Sequence, residues 1–157
     1  MALFLVRHAK AGSRSTWDGD DFHRPLTASG RAQAKALAEV VGDYPLTQLL
    51  SSPYVRCIQT LEPLRDRLGL PVVATQVLAE GMAFEEVLAL LETVDDHAVL
   101  CTHGDVLQDV VAALERRGMS VEGTPDWRKG ATWVLERATT GEGEVQLTRA
   151  KVWPPPT

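Results

Sequence analysis

The sequence predicts an α/β fold, a three-layer sandwich whose mainly parallel central sheet is flanked by helices and ends in a C-terminal hairpin. Short apolar runs of strand length alternate along the chain with longer segments in which apolar residues recur at helical spacing. The first run, residues 2–6, is apolar without interruption, as expected of a parallel strand covered on both faces. The last two strand-like segments, 132–137 and 144–149, flank the glycine-rich turn 141–143 and predict a hairpin.

Local signals place the remaining elements in order. Thr27 is the predicted N-cap of a first helix, which ends near Gly42. A second strand covers 46–51, and Ser52 is then the predicted N-cap of a second helix that runs to Leu68. The other predicted elements are a strand over 71–74, a helix over 84–94, a strand over 98–102 and a helix over 104–114.

Composition restricts the functional classes. The 157 residues, 45% of them hydrophobic, suit a single domain over 1–152 and a proline-rich tail over 153–157. A net charge of -5 offers no basic footprint for nucleic acid or for an anionic membrane. Cys57 and Cys101 lack CxxC spacing and are expected to be buried free thiols. Without a signal peptide or a long apolar segment, the expected location is the cytoplasm.

Cationic and titratable side chains lie at the predicted strand ends. Arg7 and His8 follow the first strand, Arg56 lies about one turn into the second helix, and His103 leaves the strand over 98–102. Taken alone, each residue is more often an ordinary surface or internally satisfied residue than a functional one. In a parallel sheet, however, these strand ends meet at one edge, where ligands bind. Clustered cations repel one another unless an anion lies between them, so the set predicts an anion site.

His8 is the predicted nucleophile of this site. Neighbouring cations would lower its pKa and keep a ring nitrogen unprotonated at neutral pH. Attack on phosphorus would form a phosphohistidine, while the arginines and a protonated His103 stabilise the charge of the phosphoryl group. The helix beginning at Gly104 would add backbone N–H groups to the anion site. No residue cluster has metal-ligand spacing, so neither a metal nor another cofactor is expected.

Three sequence elements resemble the histidine phosphatase superfamily, also called phosphoglycerate-mutase-like. They are LVRHAK after the first strand, SSPYVRCIQT at the second helix and CTHGDV before the helix at 104. The resemblance implies the fold of that superfamily, a phosphoenzyme at His8, and a phosphate pocket formed by Arg7, Arg56 and His103. Glu80, within VLAEGM, resembles the position of the acid that protonates the leaving group. The alternative for Glu80 is a surface carboxylate before a glycine turn.

The sequence departs from many members of this superfamily directly after the Arg-His pair. Residues 9–12 replace a glycine, glutamate, threonine and asparagine pattern, so a familiar polar phosphate contact is missing. Lys10 either binds substrate in its place or is solvated. The short chain, RHAK and RPLT before the first helix look most like SixA-type phosphohistidine phosphatases. Similar features occur in the phosphatase half of bacterial Nudix fusion proteins that act on oxidised nucleotides.

These observations lead to a functional hypothesis with two alternatives. We expect a metal-independent phosphatase that hydrolyses phosphohistidine on a protein, because only the loops 11–25 and 118–129 are available to cover the pocket. The alternatives are a phosphatase of nucleotides or other small phosphomonoesters and a phosphate-recognition module without turnover. The expected partner is a phosphorylated protein or small phosphorylated metabolite, and neither nucleic acid nor a membrane. Trp17 and Trp127 either line a substrate groove or anchor these loops to the sheet edge.

Overall fold

The computed structural model describes residues 1–156, in which one seven-stranded sheet lies between two layers of helices. Thr157, the last residue of the predicted tail, lies outside the described residues. Two short 3-10 segments, Asp21–His23 and Gln76–Leu78, also contribute to the strand-end loops. The strands and helices are β1 (Ala2–Arg7), α1 (Ala28–Val41), β2 (Gln48–Ser51), α2 (Val55–Leu68), β3 (Val72–Ala74), α3 (Phe84–Thr93), β4 (Ala98–Thr102), α4 (Gly104–Arg116), β5 (Ser120–Glu122), β6 (Thr132–Thr139) and β7 (Val145–Trp153).

The sheet has the strand order β3-β2-β4-β1-β6-β7-β5. The first four of these strands pair in parallel, as do β5 and β7, whereas β6 is antiparallel to both of its neighbours. The predicted mainly parallel sandwich and its C-terminal hairpin are therefore confirmed, with the sheet mixed rather than purely parallel. The parallel half brings the carboxyl ends of β1, β2 and β4 to one edge.

Strand β1 explains why its apolar run is uninterrupted. Leu3 and Leu5 point to the core beneath α3 and α4, while Phe4 and Val6 point to the core beneath α1 and α2. All four side chains are fully buried. Because successive side chains of a strand face opposite sides, only an unbroken apolar segment can serve both cores.

No helix within residues 1–156 is long and apolar enough to cross a bilayer.

Capping differs between the first two helices. Thr27 caps α1 as predicted, its hydroxyl accepting a hydrogen bond from the Gly30 N–H at 3.0 Å. The prediction that Ser52 caps α2 is wrong, since that helix begins at Val55 and Tyr54 occupies the N-cap position. The Ser52 hydroxyl instead lies 2.8 Å from Nε2 of the buried His103 ring at the sheet edge. This hydrogen bond is favoured because a buried polar group left without a partner would destabilise the folded state.

The C-terminal part of the sheet also departs from the predictions. Strand β5 was not predicted, because three residues without an apolar pattern give no local signal. Strand β7 continues through Trp153, which the sequence placed at the start of the tail. The Trp153 ring packs against Phe4 at 5.9 Å and Tyr44 at 5.8 Å between ring centroids. These contacts join residues distant in the chain, so the local sequence does not reveal them.

Candidate active site

The carboxyl ends of the central strands bring the predicted site residues together. Arg7, the last residue of β1, is aligned with Thr102 at the end of β4. The two residues that follow these strands, His8 and His103, have ring centroids 5.5 Å apart. Arg56, in the first turn of α2 behind strand β2, places its guanidinium Nη2 3.5 Å from the His103 Nδ1. The predicted convergence of two histidines and two arginines is therefore present.

A cavity of about 740 Å³ opens at this edge. The cationic residues among its lining outnumber the acidic ones by five to two, although the whole chain carries a net charge of -5. A concave surface with this charge balance concentrates anions. The lining residues are Arg7, His8, Ala11, Gly12, Ser13, Arg14, Arg24, Arg56, Glu80, His103, Gly104, Asp105, Gln108 and Lys129.

His8 is buried and held in one tautomer. Its Nδ1 lies 2.8 Å from the backbone oxygen of Ala9, and because a carbonyl only accepts, Nδ1 carries the proton. Burial lowers the pKa of His8 to about 3, with further lowering from the charges of His103, Arg56 and Arg7, against the opposing effect of the Ala9 hydrogen bond. The Nε2 lone pair is therefore unprotonated at neutral pH. The sequence predicted that neighbouring cations lower the pKa of His8, but burial lowers that pKa more than the cations do.

Each of the two arginines has one buried donor without a hydrogen-bond partner. Arg56 is 1% exposed, and its guanidinium donates to Asp21, to the backbone oxygen at 3.0 Å and to Oδ2 at 3.1 Å. Arg7 donates through Nη1 to the backbone oxygen of Trp127. Within residues 1–156, the buried Nε atoms of Arg7 and Arg56 have no hydrogen-bond partner. A buried donor without an acceptor is unfavourable, and phosphoryl oxygens are acceptors of the right charge.

Ser52 and Cys57 contact the His103 ring at Nε2. Its Nε2 lies 2.8 Å from the Ser52 hydroxyl and 3.5 Å from the Cys57 sulfur. Its other ring nitrogen, Nδ1, lies 3.5 Å from Arg56 Nη2, so the ring lies between Ser52 and the Arg56 guanidinium. Cys57 and Cys101 are both buried and free, as predicted. Sequence reasoning missed the contact of Ser52 and Cys57 with His103, because neither residue is near it in the chain.

Gly104 begins α4 and packs directly against Arg7. A Cβ at position 104 would lie 2.8 Å from Arg7 Cζ, 2.9 Å from Nε and 3.0 Å from Nη2. Contacts below 3.0 Å force a displacement, so only glycine leaves the guanidinium in this position. The sequence predicted Gly104 for its place at a helix N-terminus. The structure adds that it makes room for Arg7.

Glu80 lines the cavity and Lys10 does not. The Glu80 carboxylate forms ion pairs with Arg56 Nη2 at 3.4 Å and with Arg14 Nη2, and its side chain is 29% exposed. Glu80 and His8 line the same cavity, and a carboxyl group in that position suits a residue that exchanges protons with a leaving group. Lys10 is exposed and lines a neighbouring cavity that shares Arg7 with the first. It is therefore set apart from the other predicted site residues.

Arg24 is a buried cation to which the sequence analysis assigned no role. Arg24 is 5% exposed, and its Nε donates to Asp21 Oδ1 at 2.8 Å. Asp21 thereby links Arg24 to Arg56, so it orients cations rather than repelling phosphate. Burial raises the pKa of Asp21, but the hydrogen bond from Arg24 and the charges of Arg56, Arg24 and Arg14 outweigh it and lower that pKa. The only sequence feature that pointed to Arg24 was its place in RPLT, the segment that resembles SixA-type phosphatases.

The two predicted loop tryptophans have different surroundings. Trp127 stacks on Trp133 with ring centroids 4.8 Å apart, which fixes its loop to the sheet. The indole of Trp17 donates to the backbone oxygen of Asp20, within its own loop, and does not line the cavity. Lys129, two residues after Trp127, does line it. The anchoring alternative therefore describes Trp127, whereas the exposed Trp17 fits neither alternative. The loop of Trp127 also contributes a cation to the cavity.

Comparisons with known proteins agree with this geometry. The family model described as histidine phosphatase superfamily (branch 1) matches residues 3–87, which include β1 and α2. The 8-oxo-(d)GTP phosphatase of Mycolicibacterium smegmatis is 37% identical over an alignment of 139 residues, and the match covers 85% of this chain and 43% of that protein. The chain thus spans less than half the length of this curated relative.

Solved structures show the same fold at lower sequence identity. The protein histidine phosphatase SixA, solved in complex with tungstate, aligns over 96% of both chains with a TM-score of 0.73 and 22% identity. A mycobacterial glucosyl-3-phosphoglycerate phosphatase aligns over 97% of both chains with a TM-score of 0.70 and 19% identity. These likenesses confirm the predicted fold and its similarity to SixA.

Proposed function

The chain belongs to the histidine phosphatase superfamily (branch 1), and we propose that it is a metal-independent phosphatase whose nucleophile is His8. The state of the His8 ring carries this proposal. The Nδ1 proton is donated to the Ala9 oxygen at 2.8 Å, and a pKa lowered to about 3 leaves Nε2 unprotonated. A histidine that is buried, neutral and surrounded by cations is suited to attack a phosphoryl group that those cations bind.

In the proposed first step, Arg7, Arg56 and His103 hold the phosphoryl oxygens while His8 Nε2 attacks phosphorus. A bond forms from Nε2 to phosphorus, and the bond from phosphorus to the leaving group breaks. Glu80, acting as a general acid, protonates the departing atom. Charge that accumulates on the phosphoryl oxygens meets preorganised N–H donors, so little reorganisation is required at the moment of reaction.

Hydrolysis of the phosphohistidine completes the cycle. The Glu80 carboxylate removes a proton from water as the water oxygen attacks phosphorus. The bond from phosphorus to Nε2 then breaks, its electron pair returns to the ring, and inorganic phosphate leaves. Division of the transfer into two steps lowers the barrier of each one. A module that only recognises phosphate would have no use for a buried neutral histidine among cations, which favours turnover.

Two substrate classes have support. Phosphohistidine on a protein is favoured by the fold likeness to SixA over 96% of both chains. A small phosphorylated metabolite is favoured by the 37% identity to a nucleotide phosphatase. The cavity volume of about 740 Å³ also lies within the range of roughly 300–1,000 Å³ that is typical of small-molecule sites. We therefore propose that the substrate belongs to one of these two classes, and both are tested below.

The test compares phosphate release by wild type, His8→Asn and His97→Asn in the presence of a chelator. His97 is a matched control, because it has a φ of 67°, which asparagine tolerates, and it lies outside the cavity. We expect turnover by wild type and His97→Asn, and a loss of about 10³-fold or more in His8→Asn. Wild type and His97→Asn, but not His8→Asn, should accumulate an acid-labile, base-stable phosphohistidine. Activity in His8→Asn equal to wild type, or complete inhibition by chelation, would contradict the proposal.

The substrate panel contains a phosphohistidine protein, nucleoside diphosphates and simple phosphomonoesters. A preference in kcat/KM for the phosphohistidine protein would assign the first class, and a preference for nucleotides the second. Absence of turnover on every member, together with phosphate binding, would leave only the recognition module.

A further inference from the structure

A second cavity of about 620 Å³ lies against the first. The two share Arg7, Ala11 and Lys129 in their walls. Four lining residues of the second cavity are cationic, and none of those within residues 1–156 is acidic. Its lining residues are Arg7, Lys10, Ala11, Thr27, Ser29, Gln33, Arg128, Lys129, Pro155 and Pro156.

The positive charge of this second cavity is only partly balanced. Arg128 is paired with Asp126, Nη2 to Oδ2, at 2.6 Å. Ion pairs among residues 1–156 include neither Lys10 nor Lys129. Burial lowers the pKa of Lys129, with further lowering from the nearby arginines, Arg7 first among them. Uncompensated cations in a concave, partly desolvated surface attract an anion.

We propose that this second cavity is an anion subsite for the leaving group, so that the preferred substrate is a diphosphate or bisphosphate rather than a simple monoester. The inference rests on the proposed function. The terminal phosphoryl group would occupy the His8 cavity, and the second phosphate would lie against Lys10 and Lys129. Arg7, in the wall of both cavities, would contact both groups. Cations on a second phosphate also stabilise the charge that the leaving group acquires.

A diphosphate would transfer its terminal phosphoryl group to His8. His8 Nε2 forms a bond to the terminal phosphorus, and the bond from that phosphorus to the bridging oxygen breaks. The electron pair remains on the bridging oxygen, which takes a proton from Glu80, so the leaving group departs as a monophosphate. Water then releases inorganic phosphate from His8. A concave site of small-molecule size favours this substrate over an acidic protein surface, which would need an extended area.

The first experiment compares Lys10→Glu with Lys35→Glu. Both are exposed lysines with the same change of charge, but Lys35 lies on α1 and lines neither cavity. The measured quantity is kcat/KM for a nucleoside diphosphate divided by kcat/KM for p-nitrophenyl phosphate. We expect this ratio to fall about tenfold or more in Lys10→Glu, as for the loss of one charge-assisted hydrogen bond, and to be unchanged in Lys35→Glu. An unchanged ratio in Lys10→Glu would overturn the inference.

A second experiment does not require turnover. Titration calorimetry compares the binding of pyrophosphate and orthophosphate to wild type and Lys10→Glu. Wild type should bind pyrophosphate about tenfold more tightly, and Lys10→Glu should lose that preference. Equal affinities in wild type would refute the subsite even if monoesters are hydrolysed. Preserved pyrophosphate preference without any hydrolysis would instead refute only the proposed function. Selective loss of phosphohistidine-protein hydrolysis in Lys10→Glu would replace the diphosphate with an acidic protein partner.

Discussion

Replacement of Gly104 by alanine separates the geometry of the site from the stability of the fold. The new Cβ would lie 2.8 Å from Arg7 Cζ, and ordinary contact begins at 3.4 Å, so the guanidinium must move by about 0.6 Å. The atom that moves is the far end of a flexible side chain, so the displacement itself costs little. Alanine is also a better helix former than glycine, although at the first residue of α4 the gain is smaller than the roughly 1 kcal/mol of a helix interior. The thermal midpoint should therefore be unchanged or slightly higher.

Activity should respond in the opposite direction. A displacement near 1 Å of a positioning group can cost about 10²-fold in rate, so a shift of 0.6 Å predicts a loss of roughly 10- to 100-fold in kcat/KM. The loss arises because Arg7 no longer meets the phosphoryl group at the distance set by the strand end. Steady-state kinetics with p-nitrophenyl phosphate and a thermal melt of the same sample measure the two effects.

Gly141→Ala is the matched control for this experiment. Its Cβ would meet no atom within 4 Å, and Gly141 lies in the β6–β7 turn, far from the cavity. Wild-type activity in Gly104→Ala, or an activity loss that tracks a lowered thermal midpoint in both variants, would refute the reasoning that Gly104 positions Arg7.

Three further predictions follow from the same site. Ser52→Ala removes the 2.8 Å hydrogen bond to His103 Nε2, and a loss of about 0.5–1.5 kcal/mol predicts a several-fold lower kcat, which steady-state kinetics would contradict if kcat is unaltered. Glu80→Gln should slow hydrolysis of an alkyl phosphate about 10²-fold or more but spare p-nitrophenyl phosphate, whose leaving group departs without a proton. Equal losses on the two esters would exclude Glu80 as the general acid. Because the pKa of His8 falls from 6.5 to about 3 on folding, the folded state binds fewer protons than the unfolded chain between these pH values. Stability should then decrease on acidification below pH 6.5, by up to about 1.4 kcal/mol per pH unit, and denaturant unfolding should show a weaker acid dependence in His8→Asn. Identical pH dependence in both proteins would count against this assignment.

The sequence alone determined the fold class and the central residues of the candidate site. Apolar runs and helical periodicity are local properties, and they predicted the mainly parallel sandwich. The placement of Arg7, His8 and His103 at strand ends, and of Arg56 in the helix that follows a strand end, was also local information. The rule that parallel strands share a carboxyl edge then converted four separate positions into one cluster.

Only the tertiary structure decided how that cluster is held and how far it extends. Ser52 orients His103 from 51 positions away, and Asp21 joins Arg56 from 35 positions away. Such partners carry no signal in the nearby sequence, because their chemistry depends on which groups they are buried against. The same holds for Lys10, whose place in a second cavity depends on a loop far along the chain that contributes Lys129. Burial, which most strongly lowers the pKa of His8, is likewise a property of the folded chain alone.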